Sequence, residues 1–337
     1  MINYFELKKW YEENKEKIND SIIKNIFNSE EGIIIEIYKK GIENRFLYII
    51  PGKIIFLYNI KEREETNKFL LRLRKDFNGK KIKFKLNEED KIIIIETDEK
   101  RIYFELFPNG LIIITDLNNK ILYANQYKDF GIRKIYKGEE YKKPPKNLFI
   151  YNNFDDFYQK IKNSNKKDIV RTLSIDFSLG GKYSEYILNK LNIKKDKKPG
   201  EISEEEARKI YEIYREIVEL NLIIDNEGNI IKDMNSYFIK LYNSIIENKK
   251  IRELNERKEK IKRIMEEQKK HLEEINNEIN KMEKIAQFLT IYSWIFSNYD
   301  IEEIRKKFGE LNININISKE NEYLIINIDD KVLENIT

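Results

Sequence analysis

The chain has no cysteine and only one histidine, His271. The lack of cysteine excludes disulfides, thiolate zinc sites, iron–sulfur clusters and cysteine nucleophiles. A single histidine excludes a metal site built from several histidines, and His271 lies in a charged run typical of a solvated helix face. We therefore expect no metal and no cofactor, and most familiar hydrolase and metalloenzyme chemistry is excluded.

Long hydrophobic runs are also absent. Residues 46–50 form one of the longest apolar runs, whereas a membrane helix needs about 18 or more such residues. The first residues, MINYFELKKWYEENKEK, lack the apolar core of a secretory signal. These absences predict a cytoplasmic protein with no membrane partner.

Charge, in contrast, is plentiful and nearly balanced. Charged residues make up 36% of the 337 residues, and 63 Lys+Arg against 59 Asp+Glu leave a net charge of +4. Near-neutrality argues against avid non-specific binding of nucleic acid, but locally basic segments are compatible with shape-driven RNA recognition. Hydrophobic residues reach 41%, which is enough to build cores for about two domains.

The first part of the chain predicts an α+β domain over residues 1–150. Apolar residues at near-helical spacing predict a first helix over residues 4–27. Short β-rich runs separated by turn residues then fill residues 32–130, interrupted by one helix near 65–75. This texture is typical of antiparallel hairpins.

Helices resume after a turn-rich basic connector at residues 131–147. Residues 151–245 predict a helix-hairpin-helix domain whose tight turn is Leu179-Gly180-Gly181, because glycine permits close chain reversal. Ser203 and Glu206 have the spacing of a capping box and predict the start of another helix.

A heptad pattern then predicts a coiled-coil helix over residues 246–300. Ten of its twelve a and d positions are apolar and most flanking positions are charged, which is typical of a coiled-coil seam. We expect residues 301–337 to form a small α/β piece with one short helix and two strands. The a and d positions are Ile251, Leu254, Lys258, Ile261, Met265, Gln268, Leu272, Ile275, Ile279, Met282, Ala286 and Leu289.

The order of these pieces resembles the N-terminal part of NFACT proteins, a family that includes ribosome quality-control factors acting on stalled large subunits. The most specific motifs are the Gly-x-x-Tyr-x-x-Pro-Pro of residues 138–145 and the Leu-Gly-Gly-x-Tyr of residues 179–183. The resemblance covers nearly the whole chain. The collinear segments that carry it are FLLRLRKDFNGKKI, EEDKIIIIE, FELFPNGLIIITDLNNKIL, RKIYKGEEYKKPP and DIVRTLSIDFSLGGKYSEYIL.

The resemblance implies an RNA-binding factor rather than an enzyme. Such a factor would bind obstructed large ribosomal subunits carrying peptidyl-tRNA and help to place a tRNA. Asp90 and Lys91 match the family's Asp-Arg pair, and Glu6 matches an acidic residue of its first helix. These three are the expected tRNA contacts. Lysine keeps the charge of arginine but lacks its bidentate fork, so support of untemplated C-terminal tailing stays open.

Candidate RNA phosphate contacts lie in the hairpin turn and the connector. Gly180 and Gly181 can present backbone N–H groups to phosphate, or can simply join two helices tightly. Lysine groups can bind phosphate or form a solvated face. The lysines in question are Lys142, Lys143 and Lys146 around the two prolines, Lys80, Lys81, Lys83 and Lys85 on a strand, and Lys194, Lys195, Lys197 and Lys198.

The heptad seam needs a partner, because no second heptad helix of comparable length follows it. NFACT proteins continue into a returning coiled-coil helix and a C-terminal RNA-binding domain. We therefore expect a separate chain that supplies both, with self-association as the competing outcome. Whether the chain is a natural split half or a shortened form of a longer protein stays open.

Two other functions are compatible with parts of the pattern. The β domain and helix-hairpin-helix layout is similar to that of formamidopyrimidine-type DNA glycosylases, but those enzymes need an N-terminal proline and usually a four-cysteine zinc finger. This chain has Ile2, Asn3 and no cysteine. A coiled-coil scaffold without RNA contact is the other alternative.

Overall fold

A computed structural model describes most of the chain as two compact units, Met1–Ile246 and Glu247–Thr337. It contains both helices and antiparallel sheets, so the predicted α+β class is confirmed. The finer division into four domains stays a prediction. The described residues are 2–29, 31–59, 66–88, 90–145, 148–298, 300–321 and 323–335.

The first helix is shorter than predicted. Helix α1 spans Tyr4–Ile18, ends at a turn in which Asp20 has φ +63°, and is followed by strand β1, Ile22–Asn28. The prediction of a helix over 4–27 is therefore wrong. A β-bulge shifts the register between Ile23 and Asn25, so that the buried Ile23 and Ile26 of this strand have the three-residue spacing of a helix.

Strand β1 opens a four-stranded antiparallel sheet in the order β1-β2-β3-β4. Strand β2 spans Ile33–Lys39, β3 spans Ile42–Ile50 and β4, at the edge, spans Ile54–Tyr58. The side chain of Asn235 bonds to this edge like a further strand. Its Nδ2 donates to the Leu57 carbonyl (2.9 Å), and its Oδ1 accepts from the Leu57 N–H (2.7 Å).

Helix α2, Lys68–Phe77, leads into a second antiparallel sheet in the order β5-β6-β7-β8-β9. Alternate side chains of this sheet enter two different cores. Ile93 and Phe104 join the main core shared with α1, whereas Tyr103 and Ile113 on the other face belong to a smaller core. The strands are Lys83–Leu86, Ile92–Glu96, Lys100–Glu105, Ile112–Asp116 and Ile121–Ala124.

The basic connector covers that smaller core. Its strand β11, Lys134–Ile135, forms a short hairpin with β10, Lys128–Asp129, which lies just before the connector. Ile135 and Tyr141 are buried against the face that carries Tyr103, whose ring centroid lies 4.1 Å from that of Tyr141. The connector is therefore packed on the second sheet.

The helical half of the first unit consists mostly of short helices, and its identity as a helix-hairpin-helix domain stays a prediction. The two glycines of the predicted turn Leu179-Gly180-Gly181 are the first residues of α5, and Ser203 and Glu206 form the predicted capping box at the start of α6. Their buried faces belong to the same core as the first sheet. The elements are α3 Phe154–Lys162, α4 Ile169–Arg171, a π-helical turn Thr172–Asp176, α5 Gly180–Lys190, a 3-10 turn Pro199–Glu201 and α6 Glu204–Val218.

Helix α7 spans Met234–Ile291 and contains the heptads. At its start, Phe238 and Tyr242 pack into the core of the first unit. His271 is exposed, as the sequence predicts. Within the described ranges no helix is both long and apolar enough to span a bilayer. The exposed apolar residues of the seam, here called the heptad stripe, are Ile251, Leu254, Ile261, Met265, Leu272, Ile275, Ile279, Met282 and Leu289.

The second unit has a small core of its own. Helix α7 contributes Phe288, α9 contributes Ile304 and Phe308, and the hairpin contributes Ile317. The two predicted strands are present, together with more helix than the sequence indicated. The elements after α7 are α8 Ser293–Asn298, α9 Ile301–Glu310, β12 Ile315–Glu320, β13 Tyr323–Ile328 and α10 Asp330–Glu334.

Candidate functional site

A cleft of about 670 Å³ in the first unit lies where the start of α1, the start of β6 and the turn before α5 meet. Four of the residues that the sequence predicts as RNA contacts line it: Glu6, Asp90, Lys91 and Gly180. Other lining residues are Ile2, Asn3, Phe107, Pro144, Pro145, Ser174, Leu179, Lys182 and Tyr183.

Asn3 stabilises one wall of the cleft by forming hydrogen bonds at the starts of two helices, α1 and α5. Its Oδ1 accepts from the Phe5 N–H (2.8 Å) and caps α1, while its Nδ2 donates to the Leu179 carbonyl (2.7 Å). Glu6 completes the capping box by accepting from the Asn3 N–H (2.8 Å). The N-terminus of α1 is thereby tied to the turn that starts α5.

Glu6 is buried beneath the cleft and is fully engaged. Its other oxygen forms an ion pair with Lys182 and accepts from the Tyr183 hydroxyl (3.2 Å). The Lys182 ammonium also donates to the Ile224 carbonyl (2.7 Å). Burial, and then the charge of Glu6, raise the pKa of the Tyr183 hydroxyl above its ordinary value. With a side chain only 3% exposed, Glu6 holds its neighbours in place.

Asp90 and Lys91 lie at the start of β6, half-buried in the cleft wall. The Lys91 ammonium donates to the Ile2 carbonyl (3.2 Å), and Asp90 Oδ1 accepts from the Lys91 N–H (2.7 Å). Burial raises the pKa of Asp90 and lowers the pKa of Lys91, so both shifts oppose the charged form. Charges kept in a cleft against such a penalty are typical of functional sites.

Asp90→Asn is expected to leave the protein at least as stable as wild type at pH 7. A carboxyl group whose pKa rises on folding lowers the free energy of unfolding at pH values above its unfolded-state pKa. This penalty disappears as the pH falls below the unfolded-state pKa. The amide removes the penalty and can still accept from the Lys91 N–H. In urea unfolding we expect a gain below about 1 kcal/mol at pH 7, shrinking as the pH falls toward about 4. A marked loss of stability at pH 7 would contradict this.

A buried ion pair holds the connector against the second sheet; we call it the Glu105 clamp. Arg133 binds Glu105 through both oxygens (2.5 and 3.0 Å), and the Tyr141 hydroxyl donates to Glu105 Oε1 (3.0 Å). The Leu111 N–H donates to Oε2 (3.1 Å), and the Arg133 guanidinium lies 4.6 Å from the centroid of the Phe130 ring. Arg133 and Tyr141, both from the collinear segment RKIYKGEEYKKPP, thus share one buried carboxylate.

The clamp positions the rest of that motif beside the cleft. Pro144 and Pro145 line the cleft, and Arg133 also donates to the Lys142 carbonyl (3.4 Å). Lys143 forms a hydrogen bond with Asn87, and its charge lowers the pKa of Asp90 against the larger effect of burial. Lys142 and Lys143 are exposed. Lys146 falls outside the described residues.

The two other lysine groups predicted from the sequence are largely offset by acidic neighbours. Within the described ranges, the ammonium groups of five of these eight lysines lie within ion-pair distance of carboxylates, which reduces the local positive charge available to phosphate. The pairs are Lys80–Asp98 (3.3 Å), Lys80–Glu99 (3.1 Å), Lys81–Asp20 (3.0 Å), Lys85–Glu96 (3.0 Å), Lys195–Glu185 (2.9 Å) and Lys197–Glu206 (2.7 Å).

The sequence interpretation missed several residues of the site. Asn3 was available from the Asn-x-x-Glu spacing of a capping box, and Lys182 lies inside the motif of residues 179–183. No sequence pattern marks Glu105 as part of the site, because its role depends on the ion pair with Arg133, which lies 28 positions away in the sequence. Gly181 neighbours the cleft in sequence but is not among its described lining residues.

Two comparisons of sequence bear on this site. Residues 3–223 match the pattern of the NFACT N-terminal and middle domains. The archaeal Rqc2 homolog aRqcH of Methanocaldococcus jannaschii is 30% identical over 231 residues, which are 64% of this chain and 34% of that protein. The chain therefore spans about a third of the length of this relative.

Solved structures show the same fold at low identity. The N-terminal part of the fibronectin/fibrinogen-binding protein from Streptococcus suis aligns with a TM-score of 0.54 and 16% identity, covering 72% of this chain and 99% of that one. The fibrinogen binding protein from Staphylococcus aureus aligns with a TM-score of 0.50 and 17% identity, covering 64% and 82%. At such identities the likeness concerns the fold alone.

Proposed function

The chain belongs to the NFACT family, and from this premise we propose that it is an RNA-binding factor of ribosome-associated quality control. It would bind obstructed large ribosomal subunits carrying peptidyl-tRNA and help to place a tRNA, without covalent chemistry of its own. The observation that carries the proposal is the cleft, which brings Glu6, Asp90, Lys91 and Gly180 together from three separate parts of the sequence. The name of the archaeal relative, an Rqc2 homolog, supports the same role.

The cleft is chemically suited to a ribose-phosphate backbone. Helix α5 starts at Gly180 in the cleft wall, and its N-cap residue Leu179 supplies no side-chain hydrogen bond to the first turn. The N–H groups of a helix start and a nearby ammonium, here that of Lys91, together favour a phosphate. The Asp90 carboxylate is an acceptor for a ribose 2′-hydroxyl, the group that distinguishes RNA from DNA.

The residues have different roles in this proposal. Asp90, Lys91 and the Gly180 backbone contact the tRNA. Glu6, which the family resemblance suggested as a contact, is a positioning residue, because it is buried and accepts from Asn3, Lys182 and Tyr183. The exposed Lys142 and Lys143 contact phosphates at the rim of the cleft.

The role of a coiled-coil scaffold without RNA contact would not require half-buried charges in a cleft. The cleft also lies in the first unit, whereas the heptad stripe lies in the second. The observations therefore favour RNA binding. The separate chain that would cover the heptad stripe, and its C-terminal RNA-binding domain, stay predictions.

Co-sedimentation with purified large subunits tests the proposal. We expect clear preference for subunits that carry peptidyl-tRNA over empty ones. If three or four phosphates are contacted, raising the salt from about 50 to about 200 mM should weaken binding about 20- to 100-fold. Equal binding to empty and obstructed subunits, or binding that does not respond to salt, would contradict the proposal.

A further inference from the structure

Two tyrosines lie together on the outer face of the β10–β11 hairpin. Tyr127 and Tyr136 are 50% and 44% exposed, their rings are nearly parallel at 8°, and their centroids lie 6.1 Å apart. We call them the tyrosine pair. Neither contributes to the cleft or to the Glu105 clamp. Such an exposed aromatic arrangement calls for an explanation beyond the packing of the fold.

The hairpin register explains why both rings face solvent. Lys128 pairs with Ile135, and Asp129 pairs with Lys134, so Tyr127 and Tyr136 occupy the next opposed positions. Ile135 is completely buried. Because successive side chains of a strand alternate between faces, the tyrosine pair lies on the opposite, outer face, together with the Asp129–Lys134 ion pair (3.7 Å).

The hairpin is a firm support for these rings. Ile135 is anchored in the smaller core, and Arg133 is fixed by Glu105. The turn is closed by the Phe130 N–H, which donates to the Arg133 carbonyl (2.9 Å). A platform held in this way loses little conformational freedom when a ligand stacks on it.

The surroundings of the pair match a polyanion with flat groups. Lys134 is exposed on the same outer face as the rings, whereas Lys128 pairs with Ile135 and lies on the other face, with its ammonium 5.1 Å from the centroid of the Phe130 ring. Every nucleobase offers a π-face to an aromatic side chain, and lysines can reach the adjoining phosphates. A short hairpin offers far less than the roughly 800 Å² per partner of a standard protein interface, so one or two nucleotides fit it better than a folded protein.

We infer that the tyrosine pair is a stacking platform for unpaired RNA bases, with Lys134, on the same face, contacting a flanking phosphate. This is a second RNA contact, separate from the cleft. It extends the proposed function but requires only free single-stranded RNA, so the two can fail independently.

The test uses the full chain and fluorescein-labelled ten-nucleotide oligouridine, oligoadenosine and a blunt RNA duplex, measured by anisotropy at one low salt concentration. The variant Tyr127→Leu/Tyr136→Leu keeps apolar side chains on the hairpin but removes the rings. We expect it to bind both single strands at least about tenfold more weakly and the duplex like wild type. Tyr127→Phe/Tyr136→Phe keeps the rings and should bind like wild type.

Tyr323→Leu is the matched control, because Tyr323 is 76% exposed in the second unit. It should leave binding of the oligonucleotides unchanged, and urea unfolding should confirm that every variant is folded.

Absence of binding by the wild type, an unchanged affinity in the leucine variant, or an equal loss of affinity for the duplex would each overturn the inference. If the leucine variant weakens only the binding of large subunits, the surface does not bind free single-stranded RNA and the inference is also wrong. Oligonucleotide binding without subunit binding would instead contradict the proposed function alone.

Discussion

Replacing Glu105 with alanine is expected to lower the free energy of unfolding by about 3–5 kcal/mol, the usual effect of removing one partner of a buried ion pair. The Arg133 guanidinium would remain buried, with a side chain 5% exposed, and without its carboxylate. The Tyr141 hydroxyl and the Leu111 N–H would lose their acceptor as well. Urea unfolding at pH 7, followed by far-ultraviolet circular dichroism, measures the loss.

The control for this change is Asp98→Ala. Asp98 also forms an ion pair, with Lys80 at 3.3 Å, but its side chain is 73% exposed, and exposed pairs contribute about 0–1 kcal/mol. We expect the control to unfold close to wild type. If the Glu105 variant lost no more stability than the control, the connector would be held by its apolar contacts and the clamp would have no structural role.

The second large effect concerns binding. The double variant Asp90→Ala/Lys91→Ala should bind subunits carrying peptidyl-tRNA at least about tenfold more weakly, since charge-assisted hydrogen bonds contribute about 1.5–3 kcal/mol each. Stability should change little, because burial opposes the charged forms of both side chains. Sedimentation of labelled protein with subunits and parallel urea unfolding separate the two effects.

Glu205→Ala/Lys209→Ala is the matched control, as it removes an exposed ion pair (2.7 Å) from the same unit. It should bind like wild type. Lys91→Arg should bind at least as well as wild type, because guanidinium contacts phosphate through a bidentate fork. Wild-type binding by the cleft variant, or equal losses in cleft variant and control, would show that Asp90 and Lys91 are not RNA contacts.

Local sequence patterns predicted most of the elements whose formation depends on interactions between residues close in sequence. The isoleucine-rich runs form strands, Ser203 and Glu206 cap α6, and the heptads form one long helix. The first helix was overestimated because the bulge between Ile23 and Asn25 gives a strand the burial spacing of a helix. Only pairing with β2, a tertiary interaction, distinguishes the two.

The site was predictable only as far as motifs reach. Asp90 and Lys91 came from the resemblance and Gly180 from the chemistry of tight glycine turns, and the cleft does bring them together. The buried Glu6 forms its ion pair with Lys182, which lies 176 positions away in the sequence. Sequence motifs relate residues only a few positions apart, so they could not predict this pair. The tyrosine pair depends on which hairpin face Ile135 buries, so no sequence pattern distinguishes these two tyrosines from those of the core.

The bonding of Asn235 to Leu57 has a consequence for how the protein resists aggregation. A free edge strand rich in isoleucine is a template for strand addition, the first step of amyloid-like assembly. One carboxamide occupies both the donor and the acceptor of Leu57, which asparagine can do and aspartate or leucine cannot. Since Asn235 belongs to α7 of the same chain, its carboxamide occupies the edge of the sheet, and the folded chain cannot add a second strand at Leu57.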